Sequence, residues 1–425
     1  MSYKILSLDG GGSWALIQAR VLEQRYGSDI QGHEILKKFD MAIANSGGSL
    51  VLALLCANKT PRQIIAIFNN VKVLQSIFKK KWQHYIPKLK DFAPNYETEN
   101  KYGVFRQYLY NQDSDIAYGD TLLIDLPSLI GKPGLELIIT TFDYDRERAV
   151  YFRSNPNSHM ETSWIQGQVY PNAPKDNFKT VTLAKAVHAA SNAPVHFFDD
   201  PASFTITTID QNGTRIPSSK HRLYWDGAVG GNNNPIKSGV LEAIANNHDS
   251  SHIQFVSIGT SNTICPVIYG EVGEAEPDYE FLCRRSTIDG WIGDLRRMAS
   301  SILSDPPDAS TFEAHQILRG PYVSNNPKMI RINPLVKPIR DGNRWTLPGD
   351  YTKWTVQDME TLFGLDMAVA TEEGIQLINQ LCDDFFDGKF DNQGIRIGGS
   401  NMDAILGHKL FSDALADWNN GNYWP

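Results

Sequence analysis

The sequence predicts an α/β fold built on a mostly parallel sheet with helices on both faces. Three observations predict it. Short apolar runs of strand length alternate with helical stretches along most of the 425 residues. The first run stops at a glycine triplet and leads into a helix. The second stops at a sharp turn of small residues and again leads into a helix. Runs that are continuously apolar, rather than alternating, are what a sheet buried on both sides requires.

In order, Tyr3–Leu8 reads as a buried strand closed by Gly10, Gly11 and Gly12. A helix is expected over 14–26, a second buried strand over 39–44 and an apolar helix over 49–56. Another helix is expected over 61–70, with Pro61 suited to its first turn. Strands follow at 135–142 and 149–152, a helix at 182–190 and a strand at 222–225 that ends on Asp226-Gly227. Ile253–Ile258 reads as a strand, 261–280 as an acidic loop, 329–333 as a strand, and 285–303 and 354–382 as helices. Beyond Asp387 the chain is rich in Gly, Asn and Asp, which suits a tail that is loosely packed or docked. No internal repeat is visible.

Hydrophobic residues at 41% and charged residues at 21% supply an ordinary globular core. A net charge of −8 argues against a dedicated nucleic-acid binder, which needs a basic surface. The four cysteines, Cys56, Cys265, Cys283 and Cys382, have no zinc-site spacing and read as free thiols of a reducing compartment. No run reaches the ~18 apolar residues of a membrane span. The start of the chain lacks the features of a signal peptide. A protein that is cytoplasmic at least when made, peripheral at a membrane in some settings, is the expectation, and export by a route without such a signal is left open.

Ala44-Asn45-Ser46-Gly47-Gly48 is G-x-S-x-G with alanine in the first place. A serine on a strand-to-helix turn exposes its hydroxyl, and small neighbours such as Ala44, Gly47 and Gly48 let strand and helix backbones approach. The plain alternative is a serine helix cap. Asp9-Gly10-Gly11-Gly12 can turn backbone N–H groups towards an oxyanion or a phosphate. Gly10-x-Gly12-x-x-Ala15 also fits a dinucleotide fingerprint, but that needs an acidic residue at the end of a second strand. Asp40 stands at the start of its strand instead.

The serine needs a proton acceptor. The chain has ten histidines, and none has a telling context. The early position of Ser46 also leaves too few preceding strands for the usual Ser-acid-His hydrolase order. Asp226, at a strand end and followed by Gly227 and Ala228, is the better candidate. Partial burial would raise its basicity. Its plain alternative is an Asp-Gly turn.

Taken together, the DGGG loop, the serine elbow about 35 positions later and the distant Asp-Gly motif resemble the patatin-like phospholipases. So do Ile139-Thr140-Thr141-Phe142-Asp143 through Tyr151-Phe152-Arg153-Ser154, the block from Ala186 to Ser191-Asn192-Ala193-Pro194, and Val256-Ser257-Ile258-Gly259-Thr260. The resemblance spans about residues 3–335, and less clearly 336–385. It implies a patatin-like three-layer fold, a catalytic domain over 1–385 and a tail over 386–425 docked on that domain or on a partner. It further implies a serine esterase of phospholipase A type that degrades lipids without metal or cofactor. Carried over, Ser46 is the nucleophile, Asp226 the base, and the backbones of Gly10, Gly11 and Gly12 the oxyanion hole. Two departures stand out: Trp14 and Ala15 replace the family's basic residue and glycine, and Ala44 replaces the elbow's first glycine.

The implied partner is a membrane phospholipid or another acyl lipid. Residues 77–90 mix five lysines with aromatics and would suit peripheral membrane contact, unless the aromatics face the core. Activation by a ligand, a partner or oligomerisation is left open. The rival from another class is a catalytically weak protein that uses the same scaffold to hold a lipid or a partner.

Overall fold

The computed structural model describes residues 2–81, 95–155, 175–176, 181–194, 197–206, 208–209, 215–216, 221–261, 309–320, 325–336, 339–341, 344–346, 354–393 and 406–424. Its centre is an eight-stranded sheet. The strands, in chain order, are β1 (Tyr3–Leu8), β2 (Met41–Ala44), β3 (Glu136–Asp143), β4 (Arg148–Arg153), β5 (Ala202–Thr205), β6 (His221–Asp226), β7 (Ile253–Ile258) and β8 (Met329–Ile332). Their order across the sheet is β8-β7-β1-β2-β3-β6-β5, with β4 also paired to β3. From β8 to β3 every pair is parallel, and β4, β6 and β5 add antiparallel pairings. The expected mixed α/β sheet is therefore present.

Both faces of the parallel strands are buried, which explains their unbroken apolar runs. Leu6 and Leu8 join one core cluster, whereas Tyr3 and Ile5 join the cluster on the other face. Each fully buried Leu or Ile of this kind stabilises the fold by about 1.5–3 kcal/mol. The labelled helices are α1 (Leu16–Tyr26), α2 (Ser46–Cys56), α3 (Pro61–Phe68), α4 (Val71–Ile77), α5 (Thr98–Tyr108), α6 (Leu183–Ala190), α7 (Ile236–Ala245), α8 (Val356–Gly364), α9 (Glu372–Phe386) and α10 (Phe411–Trp418). Every residue of α2 is buried, so it is apolar all round. A capping box between Thr60 and Gln63, with Pro61 in the first turn, starts α3 as its sequence suggests.

Several boundaries differ from expectation. Strand β2 begins at Met41, and the Asp40 carboxylate just before it accepts the Lys4 amide and Lys132, each at 2.9 Å. The expected helix over 14–26 opens as a 3₁₀ turn, Gly12–Ala15, and becomes α-helical only at Leu16. The expected single helix over 354–382 is two helices, α8 and α9, because the backbone between them is bound elsewhere. The Asp366, Met367 and Val369 carbonyls accept from Trp14 Nε1, Ser13 N and Ser13 Oγ at 3.0, 2.8 and 2.7 Å.

The C-terminal residues 406–424 lie on the main core. Trp418 is fully buried against Tyr26, and Phe411 packs on Phe385 and Phe386. Residues 262–280 of the expected acidic loop and the expected helix over 285–303 lie outside the described residues. So do Cys265 and Cys283, whereas Cys56 and Cys382 are buried free thiols.

Candidate active site

Strand β3 brings the two candidate residues together. Over its first half it pairs with β2, so that Ala44 stands opposite Ile139. It then runs past the end of β2, and the same edge pairs with β6, so that Asp226 stands opposite Thr141. Positions 139 and 141 are about 7 Å apart along a strand. Residues as distant in sequence as Asn45 and Asp226 thus become hydrogen-bonded neighbours, Asn45 Nδ2 donating to Asp226 Oδ1 at 2.9 Å.

Ser46 leaves β2 at a φ of +44°, a left-handed conformation that a non-glycine residue adopts only under constraint. The constraint is the tight turn into α2. A Cβ on Gly47 would lie 2.3 Å from Gly12 O, and one on Gly48 would lie 2.5 Å from Asp9 O. Only glycine lets α2 start this close to the DGGG loop. Ala44, the last residue of β2, is fully buried.

Asp226 is 2% exposed. Burial pushes its carboxyl above the usual range. The nearby Ser46, hydrogen bonds from the Ala228 amide and Asn45, and the charge of Lys101 pull it partly back. Ser46, the residue after Asn45, is thereby brought into the neighbourhood of the Asp226 carboxylate. The Ala228 amide donates to Oδ1 at 2.9 Å, and Thr140 Oγ1 fixes Asn45 by donating to its Oδ1 at 2.8 Å. Among the described residues no histidine is hydrogen-bonded to Ser46 or Asp226. His188, on α6, is buried, and burial together with Lys101 presses it towards the neutral form.

The glycine loop is anchored at its base by a buried ion pair, Arg331 to Asp9 at 2.7 Å. Arg331 also donates to Ser257 Oγ at 2.8 Å. The Gly10 amide donates to Asn233 O at 2.7 Å and the Ser13 amide to Met367 O at 2.8 Å. Gly11 and Gly12 are the loop glycines whose amides have no backbone acceptor among the described residues. Ser46, Gly12, Lys101 and Met367 line one cleft, whose apolar wall includes Leu50, Phe105 and Phe198. The cleft holds only about 30 Å³ of open space, and Ser46 is 5% exposed.

The dinucleotide alternative loses its acidic partner here. Asp40 is bound to Lys4 and Lys132 at the N-terminal end of β2, away from the glycine loop at the C-terminal end of β1. In the lysine-rich stretch 77–90, Ile77 and Phe78 line the cleft, Lys79 pairs with Glu97 and Lys81 with Asp199. Residues 82–90 lie outside the described residues. No helix among the described residues is long and apolar enough to cross a membrane.

The sequence reading missed Lys101, Arg331 and the segment 366–369. Arg331 left a signal, an arginine inside the buried strand Met329–Ile332. Lys101 left none, since a lysine on an amphipathic helix reads as solvated.

Comparison with known proteins places the chain. A search of curated proteins found no match. Solved structures with detectable likeness include VipD from Legionella pneumophila, at 12% identity, covering 90% of this chain and 67% of that one, with a TM-score of 0.29. Human GIVD cytosolic phospholipase A2 has 9% identity, coverage of 90% and 58%, and a TM-score of 0.38. Full-length ExoU of Pseudomonas aeruginosa, solved with SpcU, has 15% identity, coverage of 46% and 39%, and a TM-score of 0.25. This chain therefore spans well under two thirds of the latter two. The model of the patatin-like phospholipase family matches residues 6–240, over half of the chain and including both Ser46 and Asp226. The chain belongs to the patatin-like phospholipase family.

Proposed function

We propose that the protein is a lipid acyl hydrolase of phospholipase A type that cleaves fatty acyl esters through an acyl-Ser46 intermediate. The observation that carries this reading is a serine at a left-handed elbow whose preceding residue, Asn45, is hydrogen-bonded to a buried, raised carboxylate. The apolar wall beside Ser46 suits an acyl chain.

Asp226 accepts the Ser46 proton as Oγ attacks the ester carbonyl. The developing oxyanion takes hydrogen bonds from the Gly11 and Gly12 amides, and the start of α2 adds its dipole. The proton passes from Asp226 to the departing alcohol. Water then loses a proton to Asp226 and attacks the acyl-serine, and Asp226 returns that proton to the departing Ser46 Oγ as the fatty acid is released. Gly10 supports the loop through Asn233 rather than donating to the substrate. Trp14, where the family has a basic residue, ties the loop to Asp366.

Mass spectrometry of products from mixed phospholipids tests the reading. Free fatty acid and lysophospholipid are expected. Intact lipid after prolonged incubation, with no labelling by a fluorophosphonate serine probe, would leave the scaffold as a lipid or partner binder.

Because burial raises Asp226, the rate should fall on acidification through a midpoint above the ~3.9 of a free aspartate. Below that midpoint Asp226 is protonated and cannot take the Ser46 proton. A pH profile of kcat/KM checks this, and an acid limb at or below pH ~4 would speak against Asp226 as base.

A further inference from the structure

A glycine loop can act on a substrate only through its backbone, so its effect depends on how each peptide plane is held. The Asp9–Gly10 peptide is held at both ends. Its oxygen accepts Gln18 Nε2 at 2.8 Å, and its N–H donates to Asn233 O at 2.7 Å. The Gly10–Gly11 peptide is held at its oxygen, where the Thr260 hydroxyl donates to Gly10 O at 2.6 Å. Its N–H, on Gly11, has no backbone acceptor among the described residues. In a trans peptide the C=O and the N–H point in opposite directions. A hydroxyl that fixes Gly10 O therefore aims the Gly11 N–H away from Thr260.

Thr260 is fully buried and is itself braced. It follows β7, and the residues on either side of it are tied to the end of β8. The Gly259 amide donates to Ile332 O and the Ser261 amide to Asn333 Oδ1, each at 2.7 Å. Gly11 packs on Thr260, and Gly10 packs on the nucleophile. A Cβ on Gly11 would lie 2.2 Å from Thr260 Oγ1, and one on Gly10 would lie 2.9 Å from Ser46 Cβ. Glycines on both sides of a peptide leave it free to rotate, because neither has a side chain to resist. The Thr260 hydroxyl supplies that missing restraint.

We propose that Thr260 is a positioning residue of the oxyanion hole, whose hydroxyl locks the Gly10–Gly11 peptide so that the Gly11 amide is preset for the developing negative charge. The inference rests on the acyl-transfer reading above. Thr260 acts through the loop and not on the ester. A preset donor is worth more in the transition state than in the ground state, so its loss falls on kcat rather than on KM.

The test is steady-state hydrolysis of a p-nitrophenyl acyl ester by the full chain, with thermal melts to show which variants are folded. Thr260→Val keeps the shape and removes the hydroxyl. Thr260→Ser keeps the hydroxyl and drops the methyl group, and Thr260→Ala drops both. Removing an oxyanion donor outright costs about 10²–10³ in kcat, so a donor left in place but no longer aimed should cost about 10- to 100-fold, with KM within about threefold of wild type. That fall is expected in Thr260→Val and Thr260→Ala, whereas Thr260→Ser should keep kcat within about threefold of wild type. If the valine variant does not fold, the serine and alanine variants, which differ by the hydroxyl alone, carry the readout. Equal kcat in those two, an unmoved kcat in a folded valine variant, or a loss confined to KM overturns the inference. A wild type that neither hydrolyses the ester nor reacts with a fluorophosphonate overturns the acyl-transfer reading and this inference together. An active wild type whose kcat is indifferent to the hydroxyl overturns this inference alone.

Discussion

Replacing Ser46 by alanine is expected to abolish ester hydrolysis and fluorophosphonate labelling together, with a fall on the order of 10⁶ in kcat. The size follows from the role: without the oxygen no acyl-enzyme forms, and the remaining amides act only on water-driven hydrolysis. The fold should survive, since Asp226 keeps its bonds from Asn45 and the Ala228 amide. Ser46→Gly separates chemistry from architecture further. Glycine adopts a φ of +44° without strain, so this variant should be as inactive as the alanine variant yet melt at a higher temperature than it. Thermal melts beside a chromogenic acyl-ester assay read both quantities. A Ser46→Ala protein with wild-type rates would move the reaction away from the elbow altogether.

Asp226→Asn should lower kcat by about 10⁴, near 5.5 kcal/mol of transition-state stabilisation. The amide is nearly isosteric, and its oxygen can still accept from Asn45 and the Ala228 N–H. It cannot take the Ser46 proton. Stability should hold or rise, because the carboxyl is raised by burial in the folded chain. A group raised in this way loses its stabilising contribution as pH climbs through its folded value, so at neutral pH the ionised form is a liability that asparagine removes. Activity within tenfold of wild type, in a folded variant, would require another base. His188 is a poor substitute, being buried and pressed towards neutrality.

How much of this was legible in the sequence depends on how local each signal is. The strands Tyr3–Leu8 and Ile253–Ile258 were readable to the residue, because burial on both faces demands an unbroken apolar run. Ser46 and Asp226 were readable because each sits in a turn whose small neighbours serve close backbone approach. What holds them was not. Lys101 reaches Asn192 across 91 positions, and Arg331 reaches Asp9 across 322. Neither partnership leaves a trace in local composition. The break between α8 and α9 was hidden for the same reason. Its helical pattern continues in sequence, and only the distant Ser13 and Trp14 show where those carbonyls are spent. The partners of Trp14 also give the departure at that position a structural sense, since its indole fastens the loop to Asp366.

That fastening has a kinetic consequence. Open space of about 30 Å³ is room for no more than a few water molecules. Met367 is part of the wall, and its carbonyl is bonded to Ser13. Three hydrogen bonds clasp 366–369 to the glycine loop beside this cleft. On the proposed acyl-transfer reading, access to Ser46 would depend on residues more than 300 positions away in sequence, and a change that loosens that clasp would alter the pace without altering the chemistry.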